Sequence, residues 1–405
     1  MKEQREQVWI TGIGLVSSLG EGGDEHWQKL KSEGCPRPVI DPQRFAPYTV
    51  HPLAELDFAR QIPRTSDQRQ MERWQRIGVY AAGLALADAG VSQDQKLLDR
   101  TDLCIAAGNG ERDLALDARI LAGIGAVEQP GAYLNHELAA GLRPTLYLGQ
   151  LSNLLAANIS IIHKATGSSR TFKGEEMASL SAAENAVNRI EAGQGELFLV
   201  GGALNAERDD LLLGCELAQG LYCGPCRSVW QRRDRGGGFV LGSVGAFLVL
   251  EAESHARHRG AMPYARIARI LSDRSRRRSG DAAATAARLF GALKLGPENG
   301  KIGVLSGASG VEPAAGEELQ FLASLRRHGF DLIVRAWGSV LGHSLEAHFF
   351  AGLALAALAV SKEAFYPPFD TSEVESADET RPDRILVTTF GHWRGEGLGL
   401  VRSVW

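Results

Sequence analysis

The run from Gly167 to Ala206, GSSRTFKGEEMASLSAAENAVNRIEAGQGELFLVGGALNA, constrains the fold more than any other stretch of the chain. Met177, Leu180, Ala183, Val187 and Ile190 recur at spacings of three and four and stop at Gly193, which predicts a one-faced helix with a glycine just past its end. Glu196 to Val200 is too short and too apolar for a second helix and reads as a strand, after which Gly201-Gly202 lets the backbone turn closely. Ser169 to Phe172 reads as another short strand. The unit is therefore strand, helix, strand, and Glu175-Glu176 stands where the helix begins.

A chain of 405 residues suggests about two to three domains by length alone. Its 44% hydrophobic and 23% charged residues fit an ordinary soluble protein with a large core. A formal net charge of −4 gives no attraction to nucleic acid or to an anionic membrane surface. The longest apolar run, Phe349 to Val360, falls short of the roughly 20 residues that a spanning helix needs. The charged opening MKEQREQ does not resemble a secretory signal, so a cytoplasmic location is expected.

The five cysteines (Cys35, Cys104, Cys215, Cys223 and Cys226) fit a reducing compartment rather than a disulfide framework. Cys223-Gly-Pro-Cys226 has the spacing of a redox dithiol but no thioredoxin-like context, and a loop is the simpler reading. Gly12-Ile13-Gly14 lacks the third glycine of a dinucleotide fingerprint, because Ser17 occupies its place. No HExxH, paired CxxC or carboxylate cluster points to a metal. Neither a cofactor nor a metal is expected.

In chain order, Val8 to Gly20 is a strand entering a glycine-rich turn, and a helix starts over Glu25 to Lys31. Cys35 to Pro63 is proline-rich with little periodicity and reads as a long surface excursion. Glu72 to Val91 is a helix rich in small residues, followed by a strand over Asp102 to Ala107 and then Gly108-Asn109-Gly110. Arg143 to Thr166 has helical apolar spacing throughout. Gly237 to Gly242 and Gly245 to Glu251 bring another glycine-rich strand, with a helix over Ser254 to Arg259, and Ala265 to Leu271 opens the second half.

These motifs resemble those of the β-ketoacyl-ACP synthases, the condensing enzymes of fatty acid and polyketide synthesis. Val8 to Gly20 is similar to their VVVTGxGxVTPxG opening, with the tryptophan of the next helix present as Trp27. Gly238 to Ala261 is similar to their GFVLGEGAGxLVLE-x-HAxxRGA run. The resemblance implies an α/β protein of the thiolase fold, with duplicated halves in a five-layer αβαβα arrangement, a first half over 1–252 and a second over 253–405. It also implies that Ile120 to Leu142 and the segment from Arg143 lie at a subunit interface and wall an acyl tunnel.

The same resemblance exposes a broken active site. Such enzymes use a cysteine to hold the acyl chain and two histidines, supported by a lysine, for decarboxylation and enolate stabilisation. Counting back from Gly201-Gly202-Ala203, the cysteine position is Glu176; the first histidine position is Ser309, in ASGVEPAAGE; the second is His343, in GSVLGHSLEA; the lysine position is Gly338. The glycine-rich gate keeps Phe390 and Gly391 and gains His392, Trp393 and Arg394. A carboxylate is a poor acyl acceptor from a thioester, whereas the macrodipole favours it in a first helical turn by about 0.3–1 kcal/mol.

Cysteine-less relatives of this kind include the chain-length factors of type II systems, which pair as heterodimers with an active ketosynthase and shape the shared tunnel. That profile implies an active ketosynthase subunit and an acyl carrier protein with its phosphopantetheine arm as partners. The basic run Arg274, Arg276, Arg277 and Arg278 is a candidate docking patch for the acidic carrier. Two alternatives stay open: a stand-alone decarboxylase or acyltransferase using Glu176 and His343, and an acyl-binding scaffold.

Overall fold

One strand pattern occurs twice along a continuous hydrogen-bonded path. The structure, a computed structural model, describes residues 6–32, 35–370, 374–378 and 380–404. The first set is β1 (Val8–Ser17), β2 (Asp102–Ala106), β3 (Ser169–Phe172), β4 (Leu197–Leu204) and β5 (Val244–Ala252). The second set is β6 (Ala265–Asp273), β7 (Ile302–Ser306), β8 (Leu332–Ala336), β9 (Arg384–Phe390) and β10 (Glu396–Arg402). Their spatial orders are β1-β5-β4-β2-β3 and β6-β10-β9-β7-β8, the same permutation of chain order. In each set the last strand is antiparallel to both neighbours and the remaining pairs are parallel. The sets join where Val8–Ile10 of β1 runs antiparallel to Ala265–Ile267 of β6.

Helices complete five layers. On the outer face of the first set lie α1 (Arg73–Asp88) and α2 (Leu154–His163); on the outer face of the second lie α4 (Asp281–Ala292) and α5 (Ala314–Arg327). Between the sets lie α3 (Glu176–Glu191) and α6 (His348–Ser361). The apolar run at Phe349 to Val360 is thereby explained: α6 is buried on every side, as a helix with no polar face must be. Truncating one of its buried leucines to alanine should cost about 2–5 kcal/mol. The expected αβαβα arrangement is therefore present.

Several local expectations need correction. The one-faced pattern of α3 understates its burial, because Ala178, Ala182 and Ala186 also face protein. Small side chains let a middle-layer helix meet both sheets. The expected helix over Arg143 to Thr166 is broken into Leu146–Gly149 and α2, with exposed Leu151 in the break. Cys35 to Pro63 is not wholly a surface excursion: Val50-His51 pairs with Leu241-Gly242, and Val50, His51, Leu53 and Ile62 are buried. Helix Glu253–His258 packs on β1 and β5, so the chain just after 252 still leans on the first half.

Candidate functional site

The turn from β3 into α3 passes through Gly174 at φ 133° and Glu175 at φ 51°, ψ −132°. A left-handed conformation at a non-glycine residue costs on the order of 1–3 kcal/mol and persists only where the surroundings hold it. The Glu175 carboxylate is held by Arg394 Nε at 3.1 Å. Glu176, the next residue, turns inward and is 1% exposed.

Glu176 Oε1 lies 2.8 Å from His343 Nε2. His343 follows Gly342, whose φ of 75° would strain any other residue, and its backbone is tied on both sides: its N–H donates to Val240 O at 2.8 Å and its C=O accepts from Gly242 N–H at 3.0 Å. The ring stacks on Phe239 with centroids 4.9 Å apart and contacts the His348 ring at 4.2 Å. Phe239 in turn meets His392 at 5.4 Å and Trp393 at 6.0 Å, so aromatic rings close over the pair.

Burial sets the protonation of this pair. It raises the Glu176 carboxyl, opposed by the residue's own backbone N–H and by His348 and His392. It pushes His343 down to about 3, with Arg232 and His392 adding to the effect. With the imidazole held that low, the contact is a hydrogen bond from a neutral ring rather than an ion pair, although its geometry alone would fit a salt bridge. An imidazole so hard to protonate is a feeble general base near neutral pH.

The other expected site residues fare differently. Ser309 is buried and its Oγ accepts from Val311 N–H at 3.2 Å, a local turn rather than a bond to Glu176 or His343. A Cβ on Gly338 would stand 3.0 Å from Ala308 O and 3.4 Å from Val229 Cγ1, which leaves a lysine little room. Phe390 does not serve as the gate over Glu176: it belongs to the outer core of the second half, 6.0 Å from Phe321. Gly391 closes a turn by donating to Gly395 O at 3.0 Å, and the covering residues are His392 and Trp393.

The basic run splits in the same way. Arg277 turns inward, donating through Nη2 to Gly391 O at 2.6 Å and pairing through Nη1 with buried Glu396 at 3.3 Å. It braces the loop over the site and is not a free docking charge. Arg274, Arg276 and Arg278 are exposed.

Glu346 is a site residue that the sequence reading passed over. As the one acidic side chain in GSVLGHSLEA, three residues after His343, it was the available signal. Its carboxylate reaches a cavity of about 390 Å³ lined also by Gly108, Glu175, Arg208, Cys215 and Trp393. A Cβ on Gly108 would meet Glu346 Oε1 at 2.6 Å, so the glycine makes room for it. Burial, then the nearby Glu176 and Glu175, push Glu346 up to about 7. Glu176 and His343 do not line this cavity. Among the described residues no cluster of three or more His, Cys, Asp or Glu is arranged for a metal, and no helix is long and apolar enough to cross a membrane. Cys223 and Cys226 are free and exposed in a loop.

Residues 5–256 match the family described as beta-ketoacyl synthase, N-terminal domain. The oxytetracycline polyketide putative beta-ketoacyl synthase 1 of Streptomyces rimosus is 26% identical over 388 residues, covering 91% of this chain and 88% of its own. A beta-ketoacyl synthase from Burkholderia phymatum STM815 superposes with a TM-score of 0.80 at 21% identity, covering 99% of this chain and 100% of its own. The ishigamide ketosynthase/chain length factor superposes equally well, with a TM-score of 0.80 at 19% identity and the same coverage.

Proposed function

The chain belongs to the β-ketoacyl synthase family, and from that premise we propose that it is a non-condensing member that pairs with an active ketosynthase and shapes the tunnel in which the partner's acyl or polyketide chain grows, as a chain-length factor of a type II system. The observation that carries this reading is the sealed Glu176–His343 hydrogen bond. It puts a buried carboxyl where a thiolate would have to stand and occupies the one retained histidine. Similarity to the ishigamide ketosynthase/chain length factor supports the same reading.

A pairing surface is available. Strand β3 is bonded on one side only and carries exposed Ser169 and Arg170. Exposed Leu142, Tyr147, Leu148, Leu151 and Ile161 lie in the segments leading to it, and Tyr147 is 76% exposed. An open strand edge with nearby apolar surface favours association. The second partner is an acyl carrier protein presenting a phosphopantetheine arm, with Arg274, Arg276 and Arg278 as the proposed docking charges and the cytoplasm as the setting.

The stand-alone enzyme is less well supported, because its two proposed residues are buried beneath aromatic rings and His343, held down to about 3, is a poor base near neutral pH. Co-expression with an active type II ketosynthase from the same genome, followed by sizing and product analysis, tests the proposal. A stoichiometric complex with partner-dependent product is expected. A soluble monomer that ignores the ketosynthase would count against it.

A further inference from the structure

Arg232 is 1% exposed, yet its Nε and Nη1 have no hydrogen-bond partner, and among the described residues no carboxylate is paired with it. Arg335, equally buried, shows how this fold otherwise treats such a group: it donates to Tyr366 O and Val334 O at 2.7 Å and to Asp378 O at 3.2 Å. Arg232 is held in place by its own backbone, which accepts from Gly237 N–H at 3.0 Å and donates to Ser228 O at 3.1 Å. Its guanidinium rests against Gly310, where a Cβ would stand 3.1 Å from Nε. A buried guanidinium left without a counter-charge is strongly destabilising.

Two other buried polar groups share its surroundings. The Tyr222 hydroxyl and His51 Nδ1 also have no partner, on residues that are 3% and 2% exposed. All three residues line one cavity, together with Ser339, Gly338 and Cys226. The Tyr222 ring centroid is 5.9 Å from the Arg232 guanidinium carbon. The cavity has about 10 Å³ of room, the space of one water-sized sphere. The guanidinium and the phenol are both donors aimed at the cavity, while the neutral His51 ring has one N–H and backbone carbonyls of Val39 and Val340 to take it.

We propose that this cavity is a binding site for a single monovalent anion of halide size, held by the Arg232 guanidinium with the Tyr222 hydroxyl as a further donor. The charge count follows from the neighbours. Burial pushes His51 down to about 3, so it enters as a neutral ring, and the partial desolvation of the otherwise exposed Cys226 raises its thiol, so Cys226 does not supply the negative charge near neutral pH. Arg227 on the same wall adds positive potential. The ion would tie the 222–240 segment to Ser339 of the second half, beside the Gly338 position where the resemblance places a lysine. This site is independent of the pairing role proposed above.

Crystals of the full chain grown in sodium bromide, measured at the bromine absorption edge, should show an anomalous peak within hydrogen-bond reach of Arg232. Electron density for a water without anomalous signal would overturn the proposal. In solution, bromide should raise the thermal midpoint above that in an equal concentration of sodium gluconate. Arg232→Met should lose that response, and Tyr222→Phe, which preserves the ring, should need roughly tenfold more bromide, as expected for one lost hydrogen bond to an ion. If Arg232→Met kept the wild-type response, or if Tyr222→Phe left the bromide requirement unchanged, the site would be refuted. Should Arg232→Met fail to fold, the anomalous peak and Tyr222→Phe decide.

Discussion

Glu176 and His343 meet at 2.8 Å across the two halves of the molecule, one on the first turn of α3 and the other just after the Gly338–Leu341 helix. The carboxyl spends its Oε1 on the only histidine kept from the expected set. That contact makes Glu176 a buried polar strut between the halves.

Restoring the thiol alone should not restore condensation. Glu176→Cys places a cysteine at a helix N-terminus, but beside an imidazole held down to about 3 and without help from Ser309 or Gly338. Catalytic groups act as a unit, and one member contributes little when the others are missing. The variant should label slowly with iodoacetamide and form no condensation product with acyl- and malonyl-carrier substrates. Measurable condensation by this variant alone would contradict that account.

Glu346 should make stability depend on pH. Its carboxyl is raised from 4.5 to about 7 in the folded chain, so the folded state binds the extra proton between those values. Its contribution is fully present below pH 4.5 and is lost as pH rises to about 7, at about 1.4 kcal/mol per unit, for an upper size of about 3 kcal/mol. Glu346→Gln cannot ionise. Denaturant titrations at pH 4.5 and 7.5 should show the variant gaining on wild type by up to that amount at the higher pH, and a pH-independent difference would refute the assignment.

Arg277 should behave differently from its neighbours. Removing it leaves buried Glu396 without its cation and frees the carbonyls of Gly391 and Gly395, so Arg277→Ala should cost about 3 kcal/mol in denaturant unfolding. Arg274→Ala, Arg276→Ala and Arg278→Ala should each stay within about 0.5 kcal/mol, since exposed side chains without buried partners rarely matter to stability. These three should instead weaken carrier binding in a salt-dependent way. Equal effects of all four on stability would show that the run was misread.

The strand–helix–strand unit around Glu176 was legible from its apolar spacing, Gly193 and a short apolar run, although Gly201-Gly202, expected to turn the chain, lies within β4. The run from Phe349 to Val360 was read only as too short to span a membrane, and its being the buried α6 came from the structure. The break before α2 was not legible, because Tyr147, Leu148 and Leu151 continue an apolar pattern that a core helix and an exposed surface share. Phe390 was misplaced because one motif residue at a strand end can face either layer. The Glu176–His343 contact joins residues 167 positions apart, and their mutual protonation is set by burial that no local spacing encodes. Arg232 was hidden within an arginine-rich stretch that reads as solvated surface.

The exposed apolar residues give a separate test of pairing. Tyr147→Asp combined with Ile161→Asp puts charge into the proposed interface while leaving the folded monomer's core untouched. Co-purification with the ketosynthase should be lost while the unfolding midpoint of the isolated chain changes little. Retained pairing would place the interface elsewhere.

The most direct test of the central claim is the product output of the reconstituted pair carrying Glu176→Ala in this subunit. If the subunit only shapes the tunnel, output should stay within about threefold of wild type, whereas loss of a working catalytic carboxylate typically costs on the order of 10²–10⁴ in rate. A loss of that larger size, with folding and pairing unchanged, would contradict the non-condensing role and assign chemistry to Glu176.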